Sequence, residues 1–275
     1  MTPPIDQTRL EPADFDIRTA GPDGGQVVLL LHGFPQHSTM WLPQMEALAA
    51  AGYRAVAFDQ RGYSPRARPA EVSQYRVAHL VEDALAVAGP DPFHVVGHDW
   101  GGIVGWHLAA KHPERIRTLT VLSVPHPLAF ATALLSPKSD QRAQSSYVAL
   151  FRMKDVAEET LLDGGLAAML AASGYPGDID ERVRAMSEPG LLTAALNWYR
   201  GVDLSLVRGV GRVVVPTLYV WSTGDVALAR EGAEATARHV DGPYRFEVLA
   251  GVSHWIAEEV PEVLNRLLLE HLAAQ

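Results

Sequence analysis

Phe93-His94-Val95-Val96-Gly97-His98-Asp99-Trp100-Gly101-Gly102 is the stretch on which the fold turns. A short run rich in β-formers leads into a turn with glycine two places before and two places after Asp99. The residues that follow, 101–112, have helical composition and are closed by Pro113. A strand that passes into a helix through Gly-x-Asp-x-Gly needs small flanking residues. The turn brings its two arms together and pushes the central side chain out above the sheet. Aspartate is also a favoured helix N-cap. Glycines at both offsets behind a buried strand favour the reading in which residue 99 is presented for chemistry.

Working outward, the neighbouring segments repeat a strand–helix alternation. Val27-Val28-Leu29-Leu30-Leu31 is apolar without alternation, the pattern of a strand covered on both faces of a parallel sheet. Residues 54–58 and 119–124 read as strands, and 41–51 and 75–88 as helices. From Pro127 to Gly211 the β-branched runs vanish. Ala- and Leu-rich helical spacing takes over, broken by Gly164-Gly165, Gly174-Tyr175-Pro176-Gly177 and Pro189-Gly190. Alternation resumes with strands over 217–221 and 245–249 and helices over 229–239 and 260–272. The expected organisation is a discontinuous α/β domain, 1–126 and 214–275, with a helical insertion at 127–213. Thr2-Pro3-Pro4 reads as a loose start.

Composition narrows the function. The chain has 275 residues, 23 Lys+Arg and 32 Asp+Glu, for a formal net charge of −9. That balance argues against nucleic acid and against an anionic membrane surface, both of which call for a basic patch. Cysteine is absent, which removes disulfides, thiolate metal sites and cysteine nucleophiles together. No apolar run approaches membrane-spanning length, and residues 1–25 lack a signal-peptide pattern. No His/carboxylate cluster has metal-ligand spacing and no phosphate-binding loop is present, so neither metal nor cofactor is expected. The expectation is a cytoplasmic enzyme, monomer or homodimer, acting on a small molecule and water.

A carboxylate at the elbow changes the chemistry from that of a serine. It is already anionic near neutral pH, and the helix N-terminus behind it favours that charge. Attack on an ester would give an easily reversed anhydride, whereas displacement at a saturated carbon gives a stable alkyl ester that water must then open. The second step needs a base. His254, in Gly251-Val252-Ser253-His254-Trp255, follows the last strand, and Asp225, in Ser222-Thr223-Gly224-Asp225, follows the strand before it. Nucleophile, acid, histidine is the chain order of the α/β-hydrolase arrangement. In that arrangement the loop after the first buried strand and the residue after the nucleophile supply the oxyanion-hole amides, here Phe34 and Trp100. His98 reads as a packed elbow residue.

His32-Gly33-Phe34-Pro35, the Asp99 elbow, Asp225 and His254 together resemble the epoxide hydrolases of the α/β-hydrolase superfamily, over nearly the whole chain. The resemblance implies a mostly parallel eight-stranded sheet flanked by helices, with a helical cap domain inserted. It also implies two cap tyrosines that protonate the epoxide oxygen. Asn197-Trp198-Tyr199-Arg200 is similar to the second cap motif and points to Tyr199. Ser146-Tyr147-Val148-Ala149-Leu150-Phe151 is similar to the first and points to Tyr147. Haloalkane dehalogenases share the Asp-Trp elbow, but Phe34 stands where their loop has Asn. Fluoroacetate dehalogenases place Arg where this chain has Trp100 and Val104. An apolar or aromatic epoxide fits a pocket of Phe34, Pro35, Trp100, Trp198 and Trp255, and the product is a vicinal diol. The alternatives are a dehalogenase built on the same aspartate and a non-catalytic scaffold of the same fold.

Overall fold

The structure, a computed structural model, describes residues 10–207 and 209–274. Thr2-Pro3-Pro4 lies outside them. Seven strands among the described residues form one sheet in the order β1-β3-β2-β4-β5-β6-β7. They are β1 (Ile17–Ala20), β2 (Val27–Leu31), β3 (Arg54–Phe58), β4 (Phe93–His98), β5 (Ile116–Leu122), β6 (Thr217–Gly224) and β7 (Tyr244–Ser253). All pairings are parallel except that of β1, which lies antiparallel to β3 at the edge.

Helices α1 (Leu42–Ala50), α2 (Val77–Ala88) and α3 (Trp100–Lys111) connect the first strands. Between β5 and β6 the described chain carries a run of helices, α4 (Pro127–Leu135), α5 (Gln141–Gln144), α6 (Tyr147–Phe151), α7 (Val156–Thr160), α8 (Leu166–Ala172), α9 (Ile179–Met186) and α10 (Leu191–Arg200), followed by a mostly irregular return to β6. The chain closes with α11 (Arg230–Ala235), α12 (Ile256–Glu259) and α13 (Pro261–Ala273).

The unbroken apolar run of β2 is explained by helices on both faces. Side chains alternate along a strand. Val28 and Leu30 therefore meet Met45 and Leu48 of α1 and Leu264 and Leu268 of α13, whereas Leu29 and Leu31 face the layer that contains Leu80 of α2 and Val104 of α3.

Two sequence expectations need correction, and one strand was missed. Seven strands are seen where eight were expected. Ahead of β1 the chain turns through the 3-10 helix Pro12–Asp14, closed by a hydrogen bond from the Glu11 amide to Asp14 (2.9 Å), and residues 1–9 lie outside the description. β1 itself gave no sequence signal, because a four-residue edge strand with exposed Ile17 and Arg18 carries no apolar pattern. The strand expected over 119–124 ends at Leu122, since Ser123 takes a positive φ of 67° and leaves the ladder.

Register does the positioning. Leu31 of β2 pairs with Gly97 of β4, so the loop after β2 emerges beside the turn after β4. Gly224 of β6 pairs with Ser253 of β7, so Asp225 and His254 leave the sheet side by side. At the turn after β4, Asp99 has φ 52° and ψ −119°. The glycines around it are required by distance: a Cβ on Gly97 would lie 2.2 Å from the Gly101 carbonyl oxygen, and one on Gly101 would lie 2.1 Å from that of Leu31. Both obstacles are backbone and cannot swing away. Gly101→Ala is therefore expected to lower unfolding free energy by at least ~2 kcal/mol through overpacking, read as a lower urea midpoint with an unchanged slope. A midpoint equal to that of the unsubstituted protein would mean that the turn is looser than described.

Candidate active site

The β2 and β4 loops meet at the Asp99 carboxylate. The Phe34 amide donates a hydrogen bond to Asp99 Oδ1 at 2.9 Å, and the Trp100 amide also stabilises the carboxylate. Gly33 makes this approach feasible, because a Cβ there would lie 2.3 Å from Asp99 Oδ1. The Phe34-Pro35 peptide is cis. The preceding His32 is buried and neutral, burial holding its pKa down at about 4. Its Nδ1–H donates to the Gly33 carbonyl and its Nε2 accepts from the Gln60 amide, both at 3.0 Å, which fixes the loop against β3.

From the other side of the sheet centre comes His254. Its Nδ1–H donates to Asp225 Oδ2 at 2.9 Å, which turns Nε2 toward Asp99 Oδ2 at 4.0 Å. That separation is too long for a direct hydrogen bond. It suits a bridging water or a reacting group. Asp225 is fully buried, and its second oxygen accepts from the Ala227 and Leu228 amides at 2.8 and 3.0 Å. The backbone carbonyl of His254 is held as well, by His98 Nε2–H at 3.0 Å and by the Ser123 hydroxyl at 3.1 Å. His98 is thus a packed elbow residue, as its sequence position implied. The role of Ser123 had no sequence signal, since a hydroxyl that serves a distant backbone carbonyl leaves no motif.

The electrostatics follow from this geometry. Burial lowers the His254 pKa. The Asp225 carboxylate, its hydrogen bond, and the charges of Asp99 and Glu258 more than offset that, and the net shift is upward. Burial pushes the Asp99 carboxyl up, opposed by His254 and by the two amides. Glu258, on α12, was not singled out from sequence. It accepts hydrogen bonds from Gln36 Nε2 and from the Tyr175 hydroxyl (the latter 3.2 Å), and burial raises it to about 7.

Asp99 opens into a cavity of about 440 Å³. About a sixth of its side chain (17%) is exposed, enough to present one oxygen. The sheet side contributes Trp100, Ile103, Val124 and Leu228, and the helical insertion contributes Phe130, Leu134, Tyr147, Tyr199 and Leu206. The Tyr147 and Tyr199 rings lie 6.4 Å apart, centroid to centroid. Burial raises both phenol pKa values, and the Asp99 charge raises them further, so both stay protonated well beyond neutrality. Tyr199 packs edge-on against Trp100 and Phe34, at 5.2 and 5.6 Å.

Of the aromatics expected in the pocket, Trp100 lines this cavity and the others stand behind it. The Trp198 indole N–H donates to the Arg61 carbonyl at 2.7 Å, and its ring packs against His32, Tyr63 and Trp100. The Trp255 indole N–H donates to Ser173 Oγ at 3.0 Å. Phe34 and Pro35 are buried in the β2 loop. Among the described residues no cluster of His, Asp and Glu could hold a metal ion.

Comparison with known proteins gives the family. The α/β hydrolase fold family matches residues 26–158. The AB hydrolase superfamily protein YfhM of Bacillus subtilis is 35% identical, the match covering 94% of each chain. Epoxide hydrolase A of Mycobacterium tuberculosis is 31% identical, covering 92% of each. A solved structure described among novel epoxide hydrolases from metagenomes of hot environments superposes with a TM-score of 0.82 at 27% identity, covering 95% of each chain. The chain belongs to the α/β-hydrolase superfamily, in the branch of the epoxide hydrolases.

If Asp225 holds the His254 pKa up, Asp225→Asn removes the carboxylate charge while the burial that disfavours imidazolium remains. The imidazole titration midpoint, followed by NMR, is expected to move down from its raised position. An unmoved midpoint would show that Asp225 does not set the charge state of His254.

Proposed function

We propose that this protein hydrolyses an apolar or aromatic epoxide to a vicinal diol through an ester on Asp99. The observation that carries the reading is the pair of protonated phenols, Tyr147 and Tyr199, in the same cavity as the Asp99 carboxylate. The segment 127–213 then acts as a cap over the domain formed by 1–126 and 214–275.

The geometry divides the work between the two oxygens of Asp99. Oδ1 is engaged by the Phe34 amide, which leaves Oδ2 as the attacking atom. Attack on a ring carbon breaks the C–O bond, and the leaving oxygen stays on the substrate as a developing alkoxide. An alkoxide is too basic to leave unassisted near neutral pH. A phenol is a far stronger acid than an alcohol and delivers its proton as that charge develops. Two phenols share the charge in an apolar pocket, where a donor is worth more than in water. In the second step a water between His254 Nε2 and the ester loses its proton to the imidazole and adds to the Asp99 carbonyl carbon. The resulting oxyanion is Oδ1, which already accepts from the Phe34 amide, with the Trp100 amide also directed at the carboxylate. Collapse breaks the bond from the Asp99 carbonyl carbon to Oδ2, the hydroxyl proton of the new carboxyl moves to the departing oxygen to complete the diol, and the proton held by His254 restores the phenol. No metal or organic cofactor enters this sequence.

A halide leaving group needs no proton, and the phenol pair would then have no task. Offered styrene oxide and a bromoalkane separately, the enzyme is expected to release diol from the first and no bromide from the second. Tyr199→Phe is expected to slow diol formation by about 10²-fold or more, within the usual contribution of a positioned acid. Bromide release without diol would place the chain with the dehalogenases, and neither product would support a non-catalytic scaffold.

A further inference from the structure

Glu258 is a carboxyl that the two-step reaction leaves without a task. It lies on α12, one turn beyond His254, and its amide donates to the Trp255 carbonyl at 3.1 Å. Three parts of the site converge on it. Gln36 Nε2 donates to Oε2, and it comes from the same loop whose Phe34 amide holds Asp99 Oδ1. The Tyr175 hydroxyl, from the turn between α8 and α9, donates to Oε1 at 3.2 Å. The Tyr175 ring also packs edge-on against Trp255 at 5.1 Å, and Trp255 packs edge-on against His254 at 5.0 Å. Glu258 does not line the cavity that holds Asp99, so any effect on the reaction passes through His254. The clamp suits either charge state. Ionised, Glu258 accepts from Gln36 and Tyr175. Gln36 Oε1 is buried and has no partner among the described residues. Turning the Gln36 amide over presents that oxygen to a protonated Glu258, which then donates to it.

We propose that Glu258 is a positioning residue for the second step: held between Gln36 and Tyr175, it sets by its charge how readily His254 takes the proton of the hydrolytic water. The proposal rests on the epoxide reading, since it concerns the breakdown of the Asp99 ester. In that step the water proton passes to His254 Nε2 and the water oxygen bonds to the Asp99 carbonyl carbon, and Glu258 exchanges no atom with either. The groups that face His254 are Asp225, Asp99, Glu258 and His98, and the three carboxylates favour its imidazolium form. Esterification removes the charge of Asp99, which leaves Asp225 and Glu258 to support the base when the water is attacked. The groups that face Glu258 are Arg182 of α9, Tyr175 and His254. Burial outweighs their support of its charge and brings it to about 7, so its charge changes within the neutral range. Hydrolysis needs a neutral imidazole and therefore speeds up as pH rises. An ionised Glu258 holds the imidazole proton on, so the two groups titrate as a coupled pair and the rise is spread more widely than a single ionisation gives.

Glu258→Gln removes the charge and keeps the clamp, because the new amide accepts from Tyr175 and donates to the turned Gln36 Oε1. Styrene oxide is mixed with unsubstituted and Glu258→Gln protein, the Asp99 ester is followed by acid quench and intact mass, and its breakdown rate is measured across neutral pH. The midpoint of the rise with pH is expected to move down by about half a unit or more, the scale of one charge taken from beside a partly buried base. Tyr175→Phe keeps the carboxyl but removes a donor to its charged form, so it should move the midpoint the same way by less, and it carries the test alone if Glu258→Gln does not fold. The His254 titration in the free enzyme, followed by NMR, should shift downward with Glu258→Gln and needs no substrate. A lower plateau with an unmoved midpoint is what a merely structural role gives. That result overturns the proposal and leaves the epoxide reading standing. An ester that forms in neither protein overturns the epoxide reading and, with it, the step assigned to Glu258.

Discussion

The whole site depends on how closely two parallel strand ends approach. β2 and β4 are hydrogen-bonded neighbours up to Leu31 and Gly97, and one residue further on the backbones must separate. They do so without side chains. Gly33, Gly97 and Gly101 each lie where a Cβ would strike an atom about 2 Å away. The same crowding forces Asp99 to a positive φ, a conformation that costs a non-glycine residue of order 1 kcal/mol or more. The fold holds that strain in place, and in return the carboxylate stands clear of the sheet with an amide from each loop directed at it.

His254 shows a second balance. A fully buried imidazole would ordinarily be neutral, as His98 and His32 are. Asp225, Asp99 and Glu258 shift His254 the other way. The result is a base that gains a proton readily yet is held in one tautomer by the Asp225 bond. Buried neutral histidines and a buried basic one lie within a few ångströms of each other; the ring centroids of His98 and His254 are 4.6 Å apart. What distinguishes them is the carboxylate, not the degree of burial. Glu258 joins this balance through Tyr175, so the charge state of the base is linked to the helical insertion as well as to the sheet.

Much of this was legible in the sequence because it rests on backbone constraints. Glycines flanking Asp99 have one structural meaning behind a buried strand. Asp225 and His254 could be found because each follows a strand at the sheet's C-terminal edge, where register later brings them together. Tyr147 and Tyr199 came from similarity to cap motifs, and both line the cavity. Aromatic content was a poorer guide. Trp198 and Trp255 looked like pocket walls, but each is committed to a protein hydrogen bond that fixes it behind the cavity. Sequence gives the residue type and not the partner of its indole N–H. Edge strand β1, the hydroxyl of Ser123 and the carboxyl of Glu258 were invisible for a related reason. Their roles are defined by residues far away in the chain.

Covalent capture of the substrate by residue 99 is the claim on which the rest stands. It is tested most directly by mixing His254→Gln protein, checked for native circular dichroism, with styrene oxide, quenching in acid and measuring the mass of the peptide that contains Asp99. With the base removed, the first step should proceed and the second should stall, so that peptide is expected to gain the mass of one epoxide. A peptide of unchanged mass, or an adduct on any other residue, would contradict the account.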